Sequence, residues 1–426
     1  MLSLEGRLLD PYGGVVGDLA DVFSALPASL QSLRLNGFRG YSLPLSAQLT
    51  VEQRRLYEQS LLYDGQQCRW SPPLPSPPPS LQTLKSLRTI RIVSCRFSNE
   101  YLSPLFKRCP NLQTLRIAVI GNGIPTSVAR TLRESCPRLN ELGLSGRLGF
   151  DTELSQMISA STSGWITLSI ATRTPYGFEE TSSEDSFRRE SHFSYASTAA
   201  LLRHAPTLVN LYLDQAMGFR SHHIHQFLCS APQLKRFVLM TPGEGNTYDT
   251  RLDVNELFGF SEGISMQWAC QSLEYFACQI DRLPRPDLHQ DALRNPLLPG
   301  LELAIQASYP VHRRIYARLA QLTHLKVLIL GSRRFYQERL FGNTGLYMSL
   351  ESGLDMLANL KELEYVDCCQ TRTKFWDHDV QQWATENWPK YNVKYDVNEF
   401  WQRGGYFDDG TGITQDPFSD SFLFKA

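Results

Sequence analysis

The sequence predicts an α/β solenoid, with a curved parallel sheet on the concave side, helices on the convex side and irregular insertions between repeats. Three observations predict it. Leucine supplies 61 of 426 residues while the hydrophobic fraction is an ordinary 42%, and an excess of one apolar residue inside a normal total points to a repeat. A short L-x-x-L-x-L core recurs along the chain. Stretches with helical spacing lie between the cores.

The cores begin with Leu30-Leu33-Leu35, Leu87-Ile90-Ile92, Leu112-Leu115-Ile117 and Leu139-Leu142-Leu144. Trp165-Leu168-Ile170, Leu208-Leu211-Leu213, Leu234-Phe237-Leu239 and Leu273-Phe276-Cys278 follow, and the last copies are Leu325-Leu328-Leu330 and Leu360-Leu363-Tyr365. The first residues of the copies at 87, 112, 139 and 165 step by 25, 27 and 26, which is the period of a leucine-rich repeat. Longer steps read as repeats that carry loops. Each core is too short for a helix and alternates buried with exposed positions, as a strand does.

Helices are expected between the cores. Leu102, Leu105 and Phe106 share one face of a helix over Tyr101 to Arg108, and Val128, Ala129 and Leu132 do so over Ser127 to Glu134. Pro125 is placed to start the second of these. Leu201-Leu202, Phe227-Leu228 and Leu354-Leu357 take the same part later. No single unit can bury its own leucines, so the units must stack.

The junction before several strands is more specific than the leucines. It reads Cys109-Pro110-Asn111-Leu112 and Cys136-Pro137-Arg138-Leu139, then Ala205-Pro206-Thr207-Leu208 and Ala231-Pro232-Gln233-Leu234. A small residue closes the helix against its neighbour, and proline forbids continuation, so the chain turns into the next strand. This pattern resembles the cysteine-containing leucine-rich repeats of F-box proteins and of the ribonuclease-inhibitor-like superfamily, over residues 26–395. Trp268-Ala269-Cys270 through Leu283-Pro284-Arg285-Pro286-Asp287 resembles a block of fungal F-box-like repeat proteins. The resemblance implies the geometry of a ubiquitin-ligase substrate receptor. It does not extend to the F-box, the helical module that such proteins carry ahead of the repeats, because the first core already starts at Leu30. The chain is thus expected to be either a truncated F-box protein or one that never joined a ligase.

The predicted organisation is an N-terminal cap or truncated repeat over 1–25, the array over 26–395 and an aromatic, acidic tail over 396–426. Loops are expected near 66–80, 175–193, 242–266 and 281–311. Ser71 to Ser80 holds six prolines, which makes an extended spacer, although Pro72, Pro75 and Pro78 also give a P-x-x-P spacing. Gly177 to His192 is acidic and serine-rich, and Ser261 to Pro310 reads as irregular. The tail carries Phe400, Trp401, Tyr406, Phe407, Phe418, Phe422 and Phe424, a density of aromatics expected to dock on the last repeat.

Charge and motif exclude several function classes. Forty-two Lys plus Arg against 43 Asp plus Glu give a net charge of −1, which is unlike a basic nucleic-acid binder or an acidic disordered chain. Nine cysteines, an odd number, no N-x-Ser/Thr sequon and no long apolar run lead to the expectation of an intracellular protein, cytoplasmic or nuclear, with cysteines as small buried hydrophobes. No P-loop, dinucleotide fingerprint, H-E-x-x-H or G-x-S-x-G is present. His222, His223 and His225 lie too close together for a closed tetrahedral site and read as a helix start. Cys368-Cys369 reads as a structural pair, and Asp377-His378-Asp379 as a cap for a helix near Val380. No catalytic residue, metal or cofactor is expected.

What remains is surface recognition. The middle x of each core points to the concave face and reads Arg34, Arg91, Arg116, Gly143, Ser169, Tyr212, Val238, Ala277, Ile329 and Glu364. Arginines on strands about 4.8 Å apart would form a ladder and would favour an acidic ligand or acidic neighbours. Asn210, Tyr212 and Asp214, then Arg236 and Met240, are expected in the middle of the face, and Glu362 and Glu364 at its C-terminal end. Arginine and tyrosine commonly anchor protein interfaces. The expected function is a non-catalytic protein-interaction scaffold, monomeric, without nucleic-acid or membrane binding. It would be the substrate-recognition part of an F-box-like ubiquitin ligase, meeting a ligase adaptor if an F-box is encoded upstream. The alternatives are a regulatory or ribonuclease-inhibitor-like binder outside ubiquitination, or an enzyme with an unrecognised site around His222 or Asp377.

Overall fold

A computed structural model describes residues 1–5, 23, 26–36, 39–40, 82–97, 102–119, 126–146, 151–171, 193, 195–214, 219–240, 252–258, 267–278, 280–281, 301–330, 346, 348–367 and 378–391. The proline-rich segment, the acidic loop, Cys368-Cys369 and the aromatic tail lie outside the described residues. The chain has the α/β leucine-rich-repeat fold, built as two compact units: Met1–Leu142 with Ser159–Ser163, and Gly143–Ile158 with Gly164–Ala426.

The first unit holds β1 (Leu2–Glu5), β2 (Ser32–Asn36), β3 (Arg39–Gly40), β4 (Thr89–Phe97), α1 (Leu102–Lys107), β5 (Thr114–Val119) and α2 (Thr126–Ser135). Its strands run β1-β2-β4-β5, each parallel to the next, and β3 pairs with β4. Parallel neighbours need a crossover between them, and α1 supplies it between β4 and β5. Leu33, Ile90 and Leu115 pair across the strands and each is fully buried, at roughly 1.5–3 kcal/mol per such side chain. Leu2 and Leu4 pair with Leu33 and Leu35, so the segment expected to be a cap or truncated repeat contributes a strand. The alternation Leu2-x-Leu4 is its signal in the sequence.

β6 (Glu141–Gly146) begins in the first unit and ends in the second. The second continues with α3 (Asp151–Ile158), β7 (Thr167–Ala171), α4 (Tyr195–His204), β8 (Asn210–Asp214), α5 (Ser221–Ser230) and β9 (Arg236–Met240). Then come β10 (Leu252–Asp253), α6 (Val254–Leu257), β11 (Tyr275–Cys278), β12 (Ile280–Asp281) and α7 (Leu301–Leu319). β13 (Val327–Ile329), a 3₁₀ helix over Leu354–Asn359, β14 (Tyr365–Asp367) and α8 (His378–Asn387) follow. The strands run β7-β8-β9-β11-β13-β14, again in parallel, with β10 and β12 paired apart. Phe227 of α5 meets Phe237 of β9 at 6.2 Å between ring centres, and Phe237 meets Phe276 of β11 at 5.8 Å. That face of the sheet therefore packs on helices.

The junctions work as their residue types suggest. The backbone N–H of Leu112 donates to the Cys109 carbonyl at 3.1 Å, Leu139 to Cys136 at 3.0 Å and Leu234 to Ala231 at 3.2 Å. The same turn occurs at Leu84-Leu87, Cys270-Leu273, Leu322-Leu325 and Leu360-Leu363. Cys109, Ala205, Ala231, Cys270 and Leu360 are fully buried at it.

Four expectations are corrected. The last copy is displaced by three residues: Tyr365 pairs with Val327 and Val366 with Leu328, so its core starts at Leu363 and Leu360 is the turn residue. The motif matched early because the turn itself places a leucine three residues ahead of the core. Residues 301–310, expected to be irregular, open the helix α7 with Pro310 inside it; the good helix formers of Leu301-Glu302-Leu303-Ala304 outweigh one lost N–H. Leu354 and Leu357 sit on a 3₁₀ helix. The fourth lies on the face opposite the helices, where Tyr212, Val238, Ala277 and Ile329 are buried.

Candidate functional site

β2, β4 and β5 bring three of the expected residues together. Arg34 pairs with Arg91, and Arg91 with Arg116, in one unbroken register. The long insertion between the first two cores therefore does not separate their strands. Leu33, Ile90 and Leu115 face the core, and alternation sends the arginines to the other face, where all three are half-buried. Ser32, Thr89 and Thr114, also in register, lie two residues earlier on that same face. The hydroxyl row carries no distinct signal in the sequence, because Ser and Thr are common and only the pairing makes these three neighbours. Thr114 Oγ1 donates to Glu141 Oε2 at 3.2 Å.

The second unit treats the corresponding positions differently. Tyr212 is 4% exposed, and it joins Val238, Ala277, Val327, Ile329 and Tyr365 in a buried cluster with Tyr275 packed against it. The expectation that Tyr212, Val238, Ala277 and Ile329 lie on an open concave surface is thus corrected. Valine, alanine and isoleucine at these positions, beside tyrosine, form an apolar row that favours burial. Arg236 is half-buried at the edge of this cluster, with its guanidinium 5.4 Å from the centre of the Tyr275 ring. Burial works against its charge, but Tyr212, which also hydrogen-bonds to it, together with Tyr275 and Glu274, raises its pKa above the ordinary value. Asn210 Nδ2 donates to Thr167 Oγ1 at 3.1 Å. Asp214 and Met240 close β8 and β9 in register with each other.

Glu362 and Glu364 belong to a different structure. The Glu364 N–H donates to the Lys326 carbonyl, Lys326 to that of Glu274, and Glu274 to that of Lys235. Four residues that each precede a strand thus form a row of alternating charge. Lys326 Nζ lies 2.7 Å from Glu274 Oε2, and Lys235 Nζ 3.8 Å from Glu274 Oε1. The Lys326 hydrogen bond holds the Glu274 carboxyl below the ordinary range, and the same bond raises Lys326. Glu362 stands on the turn and accepts from Lys390, which likewise depresses its pKa.

The histidines expected to be structural have partners. His225 Nδ1 lies 3.0 Å from the Leu257 carbonyl and 3.3 Å from Trp268 Nε1. His223 stacks on Phe219, and His222 Nδ1 lies 3.7 Å from Glu256. Among the described residues no group of three His, Cys, Asp or Glu side chains is placed to hold a metal ion. His378 and Asp379 open α8, both well exposed. Cys109, Cys136, Cys229, Cys270 and Cys278 form no disulfide. Burial pushes the thiols of Cys109, Cys136 and Cys270 up to about 12. No helix among the described residues is long and apolar enough to cross a membrane.

No family model matches the chain, and no curated protein matches it. Among solved structures it is similar to the crystal structure of a TLR13–ssRNA13 complex, at 10% identity over 74% of this chain and 33% of that one, with a TM-score of 0.29. It is similar also to the crystal structure of the Rad7 and Elc1 complex in yeast, at 13% identity over 74% of this chain and 79% of that one, with a TM-score of 0.32. The chain spans a third of the length of the first.

Proposed function

We propose that this chain is a non-catalytic binding protein that holds an acidic segment of a protein partner against β2, β4 and β5. The observation that carries this reading is the register of Arg34, Arg91 and Arg116 on adjacent parallel strands. Three guanidinium-bearing side chains on strands about 4.8 Å apart concentrate positive charge, which favours an anionic partner. The guanidinium fork also accepts carboxylates with two parallel hydrogen bonds.

The resemblance of the Cys-Pro and Ala-Pro junctions to those of F-box repeat proteins extends the proposal to the substrate-recognition part of a ubiquitin ligase. The test has two arms. Full chain carrying Arg91→Glu and Arg116→Glu, compared with wild type in affinity purification from the source cell, should lose its protein partner, while Arg133→Glu on the exposed side of α2 should retain it. Retention by the double variant overturns the binding face. Failure of a ligase adaptor to co-purify with the product of the complete gene removes the ligase role and leaves the binding face intact.

A further inference from the structure

The three arginines do not stand alone on their face. Ser32 and Arg34, Thr89 and Arg91, Thr114 and Arg116 repeat one pattern, hydroxyl-x-arginine, on three adjacent strands. All six residues are half-exposed. We infer that this face binds a phosphorylated serine or threonine in the partner; the inference rests on the binding reading above and names the chemistry of what is bound.

A carboxylate brings one charge and two oxygens. A phosphate ester brings about −1.5 to −2 charges and three strong acceptor oxygens. Two neighbouring guanidinia can each fork onto such a group, and rotatable hydroxyls beside them donate to the oxygen that remains. Thr114 already donates to Glu141 at 3.2 Å, and this carboxylate disfavours a second anion at the β5 edge. The phosphate therefore belongs over β2 and β4, with Ser32 and Thr89 as hydroxyl donors, Arg34 and Arg91 as the fork and Arg116 acting from the flank.

Nucleic acid fits the same face less well. Three strands span roughly 10 Å, while single-strand binders follow at least about four nucleotides and stack bases on aromatic side chains. The six residues include no aromatic, and the chain as a whole carries a net charge of −1.

The full chain would be titrated, with fluorescence anisotropy as the readout, against labelled degenerate peptide pools centred on phosphoserine, serine or glutamate, and against a single-stranded RNA of mixed sequence. The phosphoserine pool should bind at least about tenfold more tightly than either other pool. Arg91→Gln and Thr89→Val should each weaken that binding, while Thr89→Ser and Arg133→Gln should not. Thr89→Val and Thr89→Ser keep the test decisive if Arg91→Gln melts early. Equal binding of the phosphoserine and glutamate pools, still dependent on Arg91, overturns the phosphate inference and leaves the acidic-partner reading standing. Absence of binding by any pool, or binding indifferent to Arg91, overturns both. RNA binding tighter than that of every peptide pool assigns the face to nucleic acid instead.

Discussion

Lys326 donates to Glu274 at 2.7 Å across neighbouring parallel strands, although 52 positions separate the two residues in the chain. Glu274 also faces Lys235 at 3.8 Å, so one carboxylate serves two ammonium groups at the start of β11. Its folded pKa is depressed. The stability it contributes is therefore present above its unfolded value, near 4.3, and is lost as pH falls through the folded value. Glu274→Gln should destabilise the protein at pH 7 by about 0.5–1 kcal/mol, the scale of a partly exposed pair. The difference should be smaller at pH 3. Urea unfolding of both proteins at the two pH values checks this, and an equal cost at both would show that the ion pairs contribute nothing.

Gly164 has a φ of +90°, and a Cβ placed there would lie 2.4 Å from the Thr207 hydroxyl. That hydroxyl is fixed because it donates to the Trp165 carbonyl at 3.0 Å. Gly164→Ala therefore meets both a left-handed backbone, costing roughly 1–2 kcal/mol, and a collision that forces Thr207 away. The single variant should lose about 2–4 kcal/mol in all. In a Thr207→Ala background the Oγ1 and Cγ2 contacts go while the residue 207 Cβ, 3.0 Å from the added carbon, and the backbone cost remain, so the loss should shrink but stay above about 1 kcal/mol. Equal losses in the two backgrounds, measured by thermal unfolding, would rule out the steric part.

Most of the fold was legible in the sequence because its signals are local. The leucine alternation in Leu112-Leu115-Ile117 and the small-residue-then-proline junctions act over a few residues, and strand and turn form where they predict. The last copy was misread for an equally physical reason: Leu360 and Leu363 match the first half of the motif, and only the pairing of Tyr365 with Val327 shows that Leu360 belongs to the turn. The candidate site was legible in part. The arginines recur at one position of the core, but the neighbouring row of Ser32, Thr89 and Thr114 acquires meaning only from register. Tyr212 was misplaced because alternation says which face a residue occupies and not whether that face is open. Its neighbours Val238, Ala277 and Ile329 carried the hint, since three apolar side chains in a row are costly in water.

The junction cysteines should be inert in the folded protein. Cys109, Cys136 and Cys270 are at most 2% exposed, and their thiols are pushed up to about 12 by burial. At pH 8 almost none of each is thiolate, the form that reacts. Iodoacetamide should therefore label Cys229, which is half-exposed, well before these three. They should react only at the rate of global unfolding. Peptide mapping after timed labelling separates the two classes, and early labelling of Cys136 would contradict its placement against the Phe106 carbonyl at 3.5 Å.

His225 should make the second unit sensitive to mild acid. Its ring is buried at 9% exposed, with Leu257, Trp268 and Cys229 around it. Burial lowers its pKa, the Leu257 carbonyl resists that shift, and Arg318 adds to it. The folded state thus holds fewer protons than the unfolded state wherever pH lies between the folded value and about 6.5. Stability conferred by the neutral ring is full above about 6.5 and falls as pH drops through that window. Nδ1 lies 3.0 Å from the Leu257 carbonyl and carries the ring proton to donate to it, so the second proton enters at Nε2, 3.6 Å from the Cys229 thiol, and removes the acceptor that thiol faces. Wild type should lose stability between pH 7 and pH 5, while His225→Gln, already weakened by repacking, should show a shallower dependence. Thermal melts followed by tryptophan fluorescence measure both slopes. Identical slopes would assign the acid sensitivity to other groups and return His225 to a purely packing role.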